Sequence, residues 1–557
     1  MILAFEFHYI SHNGVLENLL KNIAVMFDVK HKITREDSIV TLFVEGSDDI
    51  LGKFADYLSL HLPLSIFFKS SSVSVIDAIP EVQEVIPFCP FEIEFLPRIL
   101  SALADKKSYM YAYPFSSKDE HSYLLLKHDE TTLFNAKSSE DFVKLYAMVA
   151  ELIAKNESIR IKTKSGFYIY GNVENPLLKE FKGKFEVIAT DMSVIERMAV
   201  VRENELKVLA SLERPSIRLK VNAFYAQKEI LPVERVHLRL ADDLLIHLVC
   251  EQLFKKGVHF LFKAVSDDIP CSYTLDFSRT LPFMEPLEVA VLENGEILII
   301  NGTSYASIAL KGSLGKFSEP AHASFTSIMQ EHKLFDLKTS CFYLSRSHND
   351  KFMHYSKEKG MIDLVNFYLP DSFEDVFTLV TQSSKSGARL VENYKETYPE
   401  LYEHVIHTPI PQSLPQNIYS LWKIVSMVLG FSSNFESAAE KLIENAENFG
   451  GQKGPRIDYF LLKEEALISD FNVMKLIRSG MSFKMAGIDD TTLSFGYMES
   501  LGYFLSDMSD YYKENIGNEK IALGGSLFGY RRLTETVCKN IKPNSPICFN
   551  KELPIDQ

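Results

Sequence analysis

Residues 520–531 read KIALGGSLFGYR, and the fold of the last part of the chain is inferred outward from this stretch. Lys520–Leu523 predicts a strand, the pair Gly524-Gly525 predicts a tight turn, and the apolar residues that follow predict a helix. Such a turn exposes backbone N–H groups at a helix N-terminus, which suits an anion. A tight strand-to-helix turn without any ligand is the alternative, and the turn alone does not decide between them.

Length and composition exclude several classes of protein. The 557 residues correspond to about three or four domains. The chain has 74 acidic and 59 basic residues, a balance opposite to that of most nucleic-acid-binding proteins. No run of about 18 apolar residues and no secretory signal occurs. We therefore expect a cytoplasmic protein that binds neither nucleic acid nor membrane.

The cysteines do not form a recognisable framework. No CxxC pair occurs, so the spacing predicts neither a disulfide scaffold nor a zinc site. We expect buried, reduced thiols at Cys89, Cys250, Cys271, Cys341, Cys538 and Cys548.

The first 75 residues alternate in the order β-α-β-α-β, which is a split βαβ pattern. The predicted strands are Ile2–Ile10, Ser38–Glu45, Leu64–Phe68 and Val73–Ile76, and the predicted helices are Val15–Phe27 and Ile50–His61.

Patterns further along the chain predict mixed α/β structure and then mainly helices. A helix is predicted at Ser138–Lys155, and short strands and helices alternate to about residue 275. Asn294-Gly295 between two apolar runs predicts a hairpin turn. Ser433 and Glu436 match a capping box, which predicts a helix beginning near residue 433.

Few residues match known catalytic or metal-binding patterns. His404 with His407, and His348 with His354, have the spacing of metal-ligand pairs, but neither pair has an evident third ligand. We expect both pairs to be solvent-exposed loop residues. Adjacent carboxylates diverge in regular structure and predict solvated surface at Asp242-Asp243, Asp267-Asp268 and Asp489-Asp490.

Several segments, in order along almost the whole chain, resemble the HypF carbamoyltransferases of Ni–Fe hydrogenase maturation. Val44-Glu45-Gly46, with Phe54 and Leu58 after it, is similar to the start of that family, and Glu213–Leu219 is similar to its ERPIVLL strand. Ala522–Arg531 is similar to its A-L-S-G-G-V-F-Q-N-R motif. The resemblance implies an α/β and α+β multidomain fold. The implied domains are acylphosphatase-like (1–78), degenerate zinc-finger-like (79–135), YrdC-like (136–280) and TsaD-like, of the actin/Hsp70 type (281–557).

Members of this family convert carbamoyl phosphate and ATP to a carbamoyl adenylate. They then pass the carbamoyl group to the C-terminal thiol of HypE, on the way to the cyanide ligands of the hydrogenase iron. The resemblance implies this chemistry only where the family's site residues are kept.

The first two implied domains have lost their site residues. SHNGVLENL stands at Ser11–Leu19 in place of the phosphate loop and its arginine, and Lys32–Arg35 stands where the catalytic Asn is expected. Tyr109–Phe115 resembles the RYRYPF stretch before the family's zinc cysteines, but Ser116–Tyr123 contains none. The resemblance therefore implies no acylphosphatase activity and no zinc.

The YrdC-like domain also departs from its family. Leu178–Phe185 reads LKEFKGKF, which supplies Lys179, Lys182 and Lys184 but no Arg-Arg-Pro for a nucleotide. The T-S-A-N motif is absent from Phe262–Val265.

The TsaD-like domain keeps part of its motifs. Asn434–Ala439 is similar to S-Y-E-G-Q-A-A, which makes Glu436 a nucleotide contact together with Gly524 and Gly525. A helix-capping role explains Glu436 equally well. The metal-binding histidines are missing from Asn366–Asp371, and Asp556 is the one candidate metal ligand that remains.

Four departures in a chain that keeps its apolar patterning predict a scaffold or chaperone of hydrogenase assembly that has lost catalysis. The chain also resembles the HypF-related protein that some bacteria encode beside their hydrogenase subunits. The implied partners are a HypE-like maturation factor or a hydrogenase subunit, and no cofactor is expected beyond residual nucleotide binding. One alternative is an active carbamoyl or nucleotidyl transferase with substituted residues. Another is an interaction protein with an unrelated partner.

Overall fold

A computed structural model describes residues 1–81, 83–85, 124–137, 139–163, 165–181, 183–265, 269–277, 284–314, 316–463 and 467–556. The chain forms two compact units. The first comprises residues 1–291 and 301–309, and the second comprises residues 292–300 and 310–557. Within the described ranges, no helix combines the length and apolarity needed to cross a bilayer.

The first unit begins with a four-stranded antiparallel sheet and two helices in the order βαββαβ. Its elements are β1 (Ile2–Tyr9), α1 (Val15–Met26), β2 (Lys30–Glu36), β3 (Ile39–Glu45), α2 (Asp48–His61) and β4 (Phe68–Ile76). The strands lie in the order β2-β3-β1-β4, which is the split βαβ arrangement.

The prediction for this layer was wrong about one strand. Lys32–Arg35 lies inside β2 rather than before the second strand. β2 reads KHKITRE, and Ile33 is its one buried residue, so it carries no alternating apolar signal. The two predicted extended segments at 64–76 are replaced by the single strand β4.

The remainder of the first unit is a larger mixed sheet in the order β15-β11-β12-β9-β13-β8-β7-β14-β5-β6, with β10 paired to β11. The strands are β5 (Leu124–His128), β6 (Thr131–Ala136), β7 (Ile159–Thr163), β8 (Gly166–Asn172), β9 (Phe185–Ala189), β10 (Ala199–Val200), β11 (Ser216–Val221), β12 (Arg235–Leu240), β13 (Phe260–Ala264), β14 (Tyr273–Phe277) and β15 (Glu288–Val291). The helices are α3 (Ser139–Ala154), α4 (Pro176–Glu180), α5 (Ile195–Met198), α6 (Glu203–Leu209), α7 (Ala223–Ala226) and α8 (Leu244–Lys255).

Two helices cover this sheet with apolar residues at helical spacing. Leu145, Val149 and Ile153 of α3 share a core with Leu245, Val249 and Leu253 of α8. A four-residue period places each set on one helix face, and burial of these faces stabilises the layer. The helix predicted at Ser138–Lys155 is confirmed as α3.

The second unit is built around the sheet order β20-β19-β18-β17-β21-β22. The strands are β16 (Ile297–Asn301), β17 (Thr339–Tyr343), β18 (Lys351–Ser356), β19 (Gly360–Asn366), β20 (Ser469–Asp470), β21 (Lys520–Gly524) and β22 (Ile547–Cys548). The helices are α9 (Ile308–Leu314), α10 (Pro320–Glu331), α11 (Phe373–Ser383), α12 (Lys385–Thr397), α13 (Pro399–Ile406), α14 (Ile418–Val428), α15 (Ala438–Asn448), α16 (Val473–Met485), α17 (Asp490–Ile516) and α18 (Arg531–Ile541).

β17, β18 and β19 form an antiparallel meander, and β17, β21 and β22 run parallel. The predicted strand and glycine turn at residues 520–526 are confirmed, although the helix after them starts only at Arg531, behind a short 3-10 turn.

Several local predictions need correction. The capping box is wrong, because α15 begins at Ala438 and the side chain of Asn434, not Ser433, accepts from the Glu436 N–H. Asp242 and Asp243 are buried rather than solvated, and Asp243 caps α8. His354 is buried within β18 rather than in an exposed loop.

The thiols largely behave as expected. Cys250, Cys341, Cys538 and Cys548 are buried and free, and Cys271 is half-buried. Cys89, the segments at 109–123 and the pair Asp267-Asp268 lie outside the described residues.

Candidate functional site

The ends of two parallel strands bring distant residues of the second unit together. β17 and β21 pair in parallel from Thr339 opposite Lys520 to Tyr343 opposite Gly524. Their carboxyl ends therefore deliver residues 344–350 and 524–526 to one edge of the sheet. In open α/β sheets this edge is where ligands bind.

A largely buried carboxylate, Asp556, lies at this edge. Asp556 accepts hydrogen bonds from the hydroxyls of Tyr343 and Ser526, and from the Ser345 Oγ at 2.6 Å. The backbone N–H of Ser526 donates to the same carboxylate at 3.1 Å. Burial raises the pKa of Asp556, but the hydrogen bonds outweigh burial and lower the pKa below its ordinary value. The side chain is therefore held as a carboxylate.

A histidine completes this polar cluster. The His348 Nδ1 lies 3.1 Å from the Asp556 carboxylate, which can only accept, so the proton of the imidazole resides on Nδ1. The Nε2 lone pair is then free to accept, and 39% of the His348 side chain is exposed. A carboxylate that orients an imidazole in this way resembles the base of a catalytic triad.

A second buried carboxylate holds the loop that carries the cluster. Asp350 accepts from the Ser345 N–H at 2.8 Å and from the Ile418 N–H at 2.7 Å. Burial raises the pKa of Asp350 well above its ordinary value, in spite of these hydrogen bonds. Asp350 thus ties the loop after β17 to the start of α14.

The glycine pair is packed tightly against the chain itself. Gly525 has a φ of +96°, and a Cβ built there would lie 2.1 Å from the Leu344 carbonyl oxygen. Its N–H donates to the Ile555 carbonyl. The donors expected to meet a phosphate are therefore occupied by Ile555 and Asp556, and a nucleotide contact at Gly524 and Gly525 stays a prediction.

Glu436 lies away from these contacts. Its side chain is 76% exposed and pairs with Lys423 at 3.1 Å. Glu440, one helical turn later, instead hydrogen-bonds to the Tyr419 hydroxyl at 2.9 Å and to the hydroxyl of Tyr530. The resemblance of Ala522–Arg531 to the family motif implies that Tyr530 replaces the family's asparagine. Sequence reasoning missed Glu440 because the similarity of residues 434–439 ends just before it.

One further group of the second unit has the residue types of a metal site. Glu319, His322 and Asp363 bring their ligand atoms within 4.8 Å of one another. The Lys351 ammonium lies 2.5 Å from Asp363 and 3.6 Å from Glu319. This ammonium already supplies a cation to both carboxylates, and a metal would have to displace it.

In the first unit, the turn at Ser11–Gly14 is also closed by the chain. The side chains of Ser11 and Asn13 both donate to the Tyr305 carbonyl, at 3.5 and 2.9 Å. Arg35 of β2 pairs with the buried Glu17 at 2.6 Å and donates to the carbonyls of Tyr9 and Ser11. Arg35 is therefore not free to bind an anion at this turn.

The larger sheet holds a buried ion cluster. Glu186 of β9 lies 3.2 Å from Lys263 and 3.5 Å from Arg239, and Arg239 also pairs with Asp242 at 2.9 Å. Burial raises the pKa of Glu186, but the two cations outweigh burial and lower it. Lys263 is thus a buried strand residue inside the stretch where T-S-A-N was expected. Lys179 and Lys184 are exposed, and Lys182 lies outside the described residues.

One curated protein and two solved structures are similar to this chain over its full length. No protein-family model matches. Protein HydE of Wolinella succinogenes is 25% identical over 574 residues, covering all of both chains. The crystal structure of full-length HypF in the phosphate- and nucleotide-bound form is similar with a TM-score of 0.63 at 14% identity. The structure of T. kodakarensis HypF is similar with a TM-score of 0.67 at 12% identity.

Each HypF structure matches all of this chain and 96% of its own. At these identities the structures establish the fold, and the mixed α/β multidomain architecture is confirmed. The boundaries of the implied domains stay predictions. The chain is thus a HypF-like protein in its fold and a full-length relative of HydE in its sequence.

Proposed function

We propose that this protein is an accessory factor of Ni–Fe hydrogenase maturation that acts as a scaffold or chaperone and has lost HypF catalysis. The full-length similarity to HydE, on a HypF fold, carries the proposal. The HypF fold supports a common origin, and most residues of the family's implied sites are replaced in this sequence, with Glu436, Gly524 and Gly525 as the exceptions.

The contacts at the two glycine turns support the loss of catalysis. A phosphate needs free N–H groups and a cation in such a turn. At Ser11–Gly14 the polar side chains donate to the Tyr305 carbonyl, and Arg35 is paired with Glu17. At Gly524–Ser526 the Asp556 carboxylate accepts the hydrogen bonds that a phosphate oxygen would accept.

The proposed partner is a HypE-like maturation factor or a hydrogenase subunit. A chain that retains the outline of HypF offers surfaces that such a partner recognises without any group being transferred. Affinity purification of the full-length chain from cells that express the hydrogenase operon tests this. We expect a maturation factor or a hydrogenase subunit to co-purify, and recovery of only unrelated proteins would overturn the proposal.

Titration calorimetry tests the loss of catalysis. The full-length chain is titrated with ATP plus Mg²⁺ and separately with carbamoyl phosphate, with an active HypF as the positive control. We expect no heat of binding with either ligand. Binding of both ligands, together with ATP-dependent turnover of carbamoyl phosphate, would replace the scaffold with an active transferase.

One observation favours that second function. The His348 side chain is half-exposed and is oriented by Asp556, which is the arrangement of a general base. If the chain transfers carbamoyl or nucleotidyl groups, His348→Gln lowers turnover by roughly 10² or more, because the amide cannot take the proton. Tyr419→Phe is the control, since this hydroxyl contacts Glu440 and not the cluster.

A further inference from the structure

A cavity of about 420 Å³ opens at one end of the larger sheet in the first unit. Asn172 at the end of β8 and Phe260 at the start of β13 form part of its wall. The segments that the family resemblance assigns to nucleotide chemistry lie at the other end of the same strands, because Phe185 pairs with Ala264 and Ala189 pairs with Phe260. The cavity is therefore separate from that implied site.

Two carboxylates and two cationic side chains line the cavity and form no salt bridge with one another. Glu174 and Glu196 supply two carboxylates, and Arg197 and Lys228 supply two cations. No carboxylate oxygen of the two glutamates lies within 4.0 Å of a nitrogen of the two cations. Opposite charges that share a cavity and do not neutralise each other can each accept a separate group of one ligand.

Hydrogen bonds hold the backbone of three of these charged residues in place. The Asn222 amide donates to the carbonyls of Glu196 and Arg197 at 2.9 and 2.8 Å. The Asn172 side chain accepts from the Glu174 N–H at 3.1 Å. Preorganised charges lower the entropy cost of binding.

A neutral histidine orients the arginine. The Arg197 Nη1 lies 2.9 Å from the His259 Nε2. A guanidinium only donates, so Nε2 accepts and His259 carries its proton on Nδ1. Burial and the nearby Arg197 both lower the pKa of His259, which keeps the ring neutral. Arg197 is thus held without losing its charge.

The remaining surface of the cavity is aromatic. The Phe224 ring is 71% exposed, which is unusual for a large apolar side chain. Tyr225 and Phe260 pack edge to face, with centroids 5.9 Å apart. The Lys228 ammonium lies over the rings of Phe224 and Tyr225, at 5.2 and 5.6 Å. These rings give an apolar group a surface to cover.

We propose that this cavity binds a small zwitterion with an apolar side chain, such as an α-amino acid. The ligand carboxylate lies against Arg197 and Lys228, the ammonium lies against Glu174 and Glu196, and the side chain covers Phe224. The site is independent of the proposed maturation function, and its failure would leave that function untouched.

Three probes with the same phenyl ring test the contributions of the ligand carboxylate and the ligand ammonium separately. The full-length chain is titrated by calorimetry with L-phenylalanine, 3-phenylpropionate, which lacks the ammonium, and 2-phenylethylamine, which lacks the carboxylate. We expect L-phenylalanine to bind roughly tenfold more tightly than either analogue. No heat with any probe up to about 10 mM would overturn the proposal. Equal affinity of L-phenylalanine and 3-phenylpropionate would reduce the cavity to an anion site and overturn it as well.

Substitution of two exposed residues tests which side chain binds the ligand carboxylate and which binds the ligand ammonium. Arg197→Gln is expected to weaken L-phenylalanine and 3-phenylpropionate roughly fivefold and to leave 2-phenylethylamine unchanged. Glu174→Gln is expected to weaken L-phenylalanine and 2-phenylethylamine and to spare 3-phenylpropionate. Glu203→Gln is the matched control, because Glu203 pairs with Lys207 on α6 and does not line the cavity. An effect of Glu203→Gln as large as that of Glu174→Gln would contradict the assignment.

Discussion

The two glycine turns, Ser11–Gly14 in the first unit and Gly524–Ser526 in the second, are closed by different means. In the first turn the Asn13 side chain donates to the neutral Tyr305 carbonyl, and the neighbouring Arg35 is paired with Glu17. The second turn is filled by the ionised Asp556 carboxylate beside a half-exposed histidine. Two turns can thus be closed by different groups of the same chain, and the charge of the closing group decides what chemistry the turn can support.

The largest expected effect tests the packing of the second turn. Gly525→Ala places a Cβ 2.1 Å from the Leu344 carbonyl oxygen, which is a steric clash. The φ of +96° is also unfavourable for any residue with a Cβ. We expect the free energy of unfolding of the second unit to fall by about 4 kcal/mol or more, measured by denaturant titration. Gly517→Ala, at a φ of +66° with its nearest atom 3.8 Å from the added Cβ, is expected to cost only about 1 kcal/mol. Equal losses at the two positions would contradict the difference in packing.

Removal of the ion pair beside the first turn should cause the next largest loss of stability. Glu17→Ala leaves the buried Arg35 guanidinium without its partner, which typically costs about 3 kcal/mol. The denaturant midpoint of the first unit reports this loss. Replacing both residues, as Glu17→Leu with Arg35→Met, should recover most of the stability. Failure of the double variant to recover would show that hydrogen bonds from Arg35 to Tyr9 and Ser11 matter more than its charge.

Acid should affect the second unit through a buried imidazole. His354 lies in β18 opposite Ser340 of β17, and burial lowers its pKa to about 4 from 6.5. Because the folded pKa is depressed for a base, its contribution is fully present above pH 6.5 and is lost as the pH falls toward 4. Between pH 7 and pH 5 the wild type should lose about 2 kcal/mol more than His354→Gln. Parallel pH profiles for the two proteins would refute this.

The smallest expected effects compare single hydroxyls. Ser526→Ala removes a hydrogen bond to the charged Asp556 and should cost about 2 kcal/mol. Ser11→Ala removes a longer hydrogen bond to the neutral Tyr305 carbonyl and one accepted from the Asn13 N–H, and it should cost about 1 kcal/mol. Thermal unfolding of the two variants measures both values, and the reverse order would contradict the assignment of charge to the second turn alone.

Local patterns of the sequence predicted the elements around both turns well. The glycine turn at residues 524–526 and the helix α1 were expected from spacing alone. β2 was not predicted because Ile33 is its single buried residue, and one apolar position cannot show the two-residue alternation of a strand. Glu440 escaped because its partners Tyr419 and Tyr530 come from separate segments of the chain.

The contacts that close the two turns could not be predicted from local spacing. Ser345 and Asp556 are 211 residues apart, and no local rule pairs them. Asn13 and Tyr305 are 292 residues apart. Spacing arguments reach a few turns of helix or one hairpin, whereas these contacts depend on the complete topology.

The long separation of Asn13 from Tyr305 has a consequence for biosynthesis. The N-terminal layer can form as soon as it leaves the ribosome, but the carbonyl that closes its turn is made 292 residues later. At about 5–20 residues per second, translation leaves the turn open for roughly 15 to 60 s. During that interval the Asn13 amide lacks the carbonyl to which it donates in the folded protein, which gives a chaperone time to bind there.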